Sequence, residues 1–180
     1  MKDPYLIATQ KWIETVVIGL NICPFAQKVF DDKRIRFEIE NSKDIESCLE
    51  TVVAEFEYLD DHTNVETTLI CYANYLKNFN DYLEFLTIAQ VLLKELGYES
   101  IYQLASFHPD YLFAKTNEDD AANYTNRSPY PMLHILREES ITHALKHYPT
   151  PEQIPEQNVA QMRQLGLANM QRLLSHCYLT

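Results

Sequence analysis

Residues 34–40 alternate strictly, with Ile35, Phe37 and Ile39 separated by charged side chains, the period of a strand with one buried and one wet face. Ahead of it, Ile13, Val16, Val17 and Leu20 recur at helical spacing behind Asp3 and Pro4. A first helix is therefore expected from an Asp3 cap to about Gly19 or Leu20. Residues 21–25 interrupt the pattern, and Pro24 opens a short second helix over 26–30. The longest amphipathic stripe, Ile45, Cys48, Leu49, Val52, Val53, Phe56 and Leu59, predicts a helix from a Ser42 cap to Asp60 and Asp61.

Residues 67–73 form a short apolar, β-branched run and predict a second strand, followed by a helix over about 80–96 that Gly97 terminates. Residues 100–107 predict a third strand. Strand, helix, strand, helix, strand is the order of right-handed crossovers with at least partly parallel pairing. Beyond a polar stretch at 106–131, Ser128 and Pro129 predict a helix through His134 and on to Tyr148. Pro149, Pro151 and Pro155 mark a rigid connection. A last helix over 155–177 is expected to bury Val159, Met162, Met170, Leu173 and Cys177, with Gly166 allowing a close backbone approach.

The expected fold class is therefore α/β: one domain over 1–180 with a small, mostly parallel or mixed sheet of about three to four strands and about five to six helices. Its functional segment is expected at 106–131 and its C-terminal helical part at 129–177. At 180 residues and 46% hydrophobic content the chain has material for one core. No apolar run approaches the roughly 20 residues that cross a bilayer, and the first residues lack a signal-peptide core, so a cytoplasmic protein is expected.

A formal charge of −11, from 15 basic and 26 acidic residues, argues against nucleic acid and anionic membranes as partners. It leaves room for a few cations converging on a small anion. Cys23, Cys48, Cys71 and Cys177 form no CxxC pair, which points to reduced thiols and away from structural zinc. With three glycines there is no glycine-rich phosphate loop. Nothing in the sequence names a cofactor or an oligomeric state.

Candidate chemistry concentrates where the third strand ends, since ligands in open parallel sheets bind beyond the carboxyl ends of strands. There His108 and Asp110 flank Pro109 as a candidate base and its orienting carboxylate. Asp119, Asn123, Tyr124, Asn126 and Arg127 gather acid, amide, phenol and guanidinium groups, with Arg127 placed to clamp an anion at a helix start. His108-Pro109-Asp110 is also the tripeptide of J-domain co-chaperones, but here an apolar strand precedes it and no lysine-rich helix does. The aromatics Tyr111, Phe113, Tyr124 and Tyr130 offer a docking surface as a non-catalytic alternative.

Cys23 is a second candidate nucleophile, because a thiol just before a Pro-initiated helix meets the positive end of its dipole. The adjoining Pro24-Phe25-Ala26 is similar to the first helix start of omega-type glutathione transferases, although there a strand precedes it. Glu139, His143 and His147 share a helical face, but no further ligands at a known spacing make it a metal site.

Two blocks carry a wider resemblance. Trp12-Ile13-Glu14 through Val17-Ile18-Gly19-Leu20-Asn21-Ile22-Cys23-Pro24-Phe25-Ala26, together with Ser106-Phe107-His108-Pro109-Asp110 through Asn123-Tyr124-Thr125-Asn126-Arg127-Ser128-Pro129-Tyr130-Pro131-Met132-Leu133-His134, resemble a bacterial family of uncharacterised proteins, domain of unknown function family 1415. That resemblance implies no reaction, cofactor or partner. Its pattern has glycine after Phe113-Ala114 where this chain has Lys115, which adds positive charge beside the polar segment.

Overall fold

The structure, a computed structural model, describes residues 3–146 and 148–178. Asp3 caps α1 (Pro4–Trp12) as expected, its carboxylate accepting from the Tyr5 and Leu6 N–H groups. The helix then widens into a π-helical turn over Ile13–Ile18, where the Gly19 N–H reaches back to the Glu14 carbonyl. Next come α2 (Ala26–Asp31), β1 (Ile35–Glu40), α3 (Ile45–Asp61), β2 (Thr67–Tyr72), α4 (Phe79–Glu95) and β3 (Tyr102–Phe107). The N-cap of α3 is Asp44, whose carboxylate accepts from the Ser47 N–H at 2.9 Å. Ser42 is not the cap: its own N–H is held by Glu40 at 2.6 Å.

The main departure follows β3. A short 3-10 helix (Ala121–Thr125) leads into β4 (Met132–Arg137), a strand where a helix was expected, and α5 begins only at Glu138 (Glu138–Lys146). β4 lies between β2 and β3 and runs antiparallel to both, so the sheet order is β1-β2-β4-β3 and only β1 and β2 pair in parallel. An inner strand covered on both faces loses the alternation of a half-wet strand. Met132, Leu133 and Ile135 are all fully buried, and such an apolar run reads equally well as a helix.

The C-terminal helix is also two helices, α6 (Ile154–Leu165) and α7 (Leu167–Ser175), joined at Gly166 with φ 79°. Among the described residues, its own chain neighbours apart, no atom lies within 4 Å of where a Gly166 Cβ would sit, so the glycine serves the backbone turn and not a close approach. Gly97 closes α4 with φ 81°, as expected.

Alternate residues of β2 separate two cores. Ile70 and Tyr72 face α3 and α4 with Val52, Phe56, Tyr82 and Phe85. Leu69 and Cys71 face α1, α6 and α7 with Trp12, Met162 and Met170. The molecule is thus a mixed sheet between two helical layers, an α/β fold. No helix among the described residues is long and apolar enough to cross a membrane.

Candidate functional site

The segment after β3 is polar but ordered by its own side chains. Asn123, fully buried, is its hub: Oδ1 accepts from the Phe113 N–H at 3.0 Å and the Thr116 hydroxyl at 2.8 Å, and Nδ2 donates to the Asn117 carbonyl at 2.8 Å. Asn126 ties the segment to the sheet, with Nδ2 donating to the Ser106 carbonyl at 3.0 Å and its own carbonyl accepting from the His108 N–H. Asp120 caps the 3-10 helix through the Ala122 N–H and is gripped from α6 by Arg163 at 3.1 and 2.8 Å. That guanidinium, with the Ala122 N–H, brings the Asp120 carboxyl down to about 2.

His108 is completely buried beneath Phe79 and Tyr82 of α4. Its Nδ1 accepts from the Asp110 N–H at 3.0 Å, which leaves the proton on Nε2 to be donated to the Leu76 carbonyl at 3.0 Å. Burial lowers its pKa. Both ring nitrogens are thereby engaged, and Asp110 meets the ring through its backbone, while its carboxylate lies on an exposed residue.

Arg127 does not start a helix. It bridges the loop walls, with Nε donating to the Tyr111 carbonyl at 3.2 Å and Nη2 to the Glu118 carbonyl at 3.1 Å, its guanidinium 4.9 Å from the Tyr124 ring centroid. Among the described residues no carboxylate forms an ion pair with this half-buried cation. Asp119 lies instead with Asn117, Asp120, Arg163 and Leu167 on a shallow open depression of about 480 Å³.

The aromatic docking surface is mostly turned inward. Tyr124 is 5% exposed, Tyr111 packs on Phe79 and Phe113, and Tyr130 is sandwiched between Tyr5 and Tyr178.

Cys23 lies in the turn before α2, where Asn158 of α6 holds the Ile22 carbonyl at 2.8 Å and Phe25 meets Tyr148. Among the described residues no hydrogen bond joins it to His108, which packs on Phe79 and Tyr82 of α4. Burial raises the Cys23 thiol and outweighs the Phe25 and Ala26 N–H groups that pull it down, so the direction is opposite to the one the helix-start position suggested. Alkylation by iodoacetamide is therefore expected to be slow at neutral pH and to accelerate only above the ordinary thiol range. A rate plateau near pH 7 would show a thiolate instead.

His147 lies outside the described residues, and among those described no group of three or more His, Cys, Asp and Glu side chains is arranged to hold a metal ion.

Three residues that complete the segment came from distant parts of the chain. Trp12 Nε1 donates to the Arg127 carbonyl at 3.2 Å, the Tyr178 hydroxyl donates to the Pro129 carbonyl at 2.7 Å, and Arg163 holds Asp120. The one prior signal for Trp12 is its indole N–H, which requires an acceptor when buried.

Lys115 stands at φ 69°, so the left-handed turn is made here without glycine. Lys115→Gly should relieve that backbone cost, raising stability by less than about 1 kcal/mol in urea unfolding.

A mixed-sheet α/β domain whose polar segment is ordered by an asparagine hub and an arginine bridge is the class that the fold and site define. The chain belongs to the family described as protein of unknown function (DUF1415), whose model matches residues 5–172. No curated protein and no solved structure matches it.

Proposed function

We propose that the chain binds a small anionic ligand at the rim of the 106–131 segment, with Arg127 as its clamp. What supports the reading is one observation: a half-buried guanidinium that rests on Tyr124 and has no carboxylate ion-pair partner among the described residues. A cation withdrawn from water without a counter-ion favours an anion beside it. Nε and Nη2 are committed to the Tyr111 and Glu118 carbonyls, so the remaining amino group is the donor offered.

In this reading Asn123, Asn126 and Tyr124 hold the clamp in place, and exposed Lys115 adds positive charge on the same segment. Asp110 and Asp119 disfavour ligands of high negative charge. His108 is a positioning residue, and no proton transfer is assigned to it.

Thermal-shift titration with inorganic phosphate and with small mono- and dicarboxylates tests the proposal. A concentration-dependent stabilisation is expected for at least one of these anions, abolished in Arg127→Gln and weakened about tenfold in Arg127→Lys, which keeps the charge but loses the planar fork. No shift with any of them, or a shift that Arg127→Gln leaves unchanged while circular dichroism shows that variant folded, overturns it.

A further inference from the structure

The two edges of the sheet are guarded differently. On β3 the outward backbone groups are capped at both ends: the Tyr102 N–H donates to the Tyr98 carbonyl, the Ser106 carbonyl accepts from Asn126 Nδ2, and the His108 N–H donates to the Asn126 carbonyl. On β1 the outward groups belong to Ile35, Phe37 and Ile39. Among the described residues the sole hydrogen bond there is from Asn41 Nδ2, an exposed residue, to the Ile39 carbonyl. Every residue of β1 is half-buried, whereas every residue of β2 beside it is buried. An open edge of this length is a template for a further strand.

The sequence of that edge specifies its partner. Arg34-Ile35-Arg36-Phe37-Glu38-Ile39-Glu40 reads as a charge palindrome about Phe37. We infer that β1 is the interface of a two-fold dimer, in which β1 of one copy pairs antiparallel with β1 of a second copy about Phe37 and joins the two sheets into one.

In that register Arg36 lies opposite Glu38 of the second copy, Arg34 opposite Glu40, Ile35 opposite Ile39, and Phe37 opposite itself. The open N–H and C=O groups of Ile35, Phe37 and Ile39 then bond to their counterparts. The Arg36 and Glu38 pairs fall at the closely spaced, non-hydrogen-bonded positions, where opposite charges contribute most. In-register parallel pairing would set each charge against its like. An isologous contact of this kind closes on itself and leaves no further open β1 edge.

The local charge balance favours the same contact. On its own chain Arg36 is the cation shared by Glu38 at 2.8 Å and Glu55 at 2.7 Å. Burial holds the Glu38 carboxyl above its ordinary range despite Arg36, with Glu55 and Glu40 adding to the rise, so a second guanidinium beside it is a favourable addition.

Sedimentation equilibrium of the full chain tests this. The expected result is a concentration-dependent species of twice the 21.1 kDa chain mass. Amide exchange should slow at Ile35, Phe37 and Ile39 only as that species forms. Glu38→Arg, which sets like charges opposite each other twice in the symmetric dimer, should raise its Kd about tenfold or more. Ile35→Pro removes an outward N–H that bonds nothing among the described residues, and should also dissociate the dimer without unfolding it. If the proline variant fails to fold, Glu38→Arg and the amide exchange still decide. A chain that is monomeric at every concentration overturns the proposal. So does a dimer indifferent to Glu38→Arg and lost in Val91→Glu, which would lie on the exposed apolar side of α4.

Discussion

Arg36→Met should lower the stability of the fold by about 3–5 kcal/mol, the largest effect expected from any single polar replacement in this chain. The partner at stake is Glu55 on α3, a carboxylate with 5% side-chain exposure that Arg36 holds through Nε at 2.7 Å and Nη2 at 2.9 Å, with the guanidinium 3.9 Å from the Tyr58 ring centroid. Methionine fills much the same volume and keeps the packing on Tyr58, so the loss isolates the charge. Glu55 would be left buried with no cation, and it is that orphaned carboxyl that costs stability. The double replacement Arg36→Met with Glu55→Leu removes both charges and should recover most of the loss. Urea unfolding of the three proteins, at concentrations where each is monomeric, checks this through the midpoint at unchanged slope. A double variant no more stable than the single one would show that the pair contributes mainly through geometry.

That pair also shows what could be read from the sequence and what could not. The strict alternation at 34–40 fixed β1 and the face that Arg36 shares with Glu38 and Glu40, because a strand with one wet face carries its own period. It could not show that Glu55, on the helix expected at 42–61, turns inward to meet Arg36. On a helical wheel Glu55 resembles any other solvated acid beside Glu57 and Asp60, and only the crossover from β1 through α3 to parallel β2 brings it over the strand.

β4 was illegible for the complementary reason. Met132, Leu133 and Ile135 are buried from both sides, so periodicity fails in an inner strand, and Ser128 and Pro129 supplied a plausible helix start where the chain instead enters the sheet. With β4 unrecognised, β3 had β2 as its natural partner, and the antiparallel half of the sheet could not be foreseen.

The polar segment is the connection between β3 and β4, and it is ordered by side chains that the sequence offered as reactive groups. Residues chosen for reactivity turned out to be bonded inward: His108 to Leu76 and to the Asp110 N–H, and Asn123 to the backbone of its own loop. A polar loop that must fold without an apolar core satisfies its backbone with side chains, and the same residue types serve that purpose and catalysis. Arg127 kept its interest, because carbonyl partners satisfy its donors without neutralising its charge.

His134 gives the second large effect, and it appears as a pH dependence of stability. The Thr67 hydroxyl donates to the Ile135 carbonyl, so its lone pair must accept from His134 Nε2–H at 2.6 Å. Nε2 therefore carries a proton, and among the described residues no hydrogen-bond partner meets Nδ1. Burial alone brings the folded pKa down from 6.5 to about 4. A proton on Nδ1 would add a charge that no partner among the described residues offsets. The unfolded chain, with an ordinary imidazole, takes up that proton first as pH falls.

Stability from this residue is therefore complete above about pH 6.5, lost progressively below it, and gone near pH 4, a swing of about 3 kcal/mol. His108, also lowered by burial, adds to the loss in the same direction. His134→Gln keeps an N–H for the Thr67 oxygen and cannot titrate. The expected result is that stability measured by urea unfolding between pH 7 and pH 4 falls less steeply in His134→Gln than in the parent chain, the two curves converging at the acid end. Parallel curves across that range would show that the proton finds a partner in the folded state, and would place the acid sensitivity on His108 and the carboxylates instead.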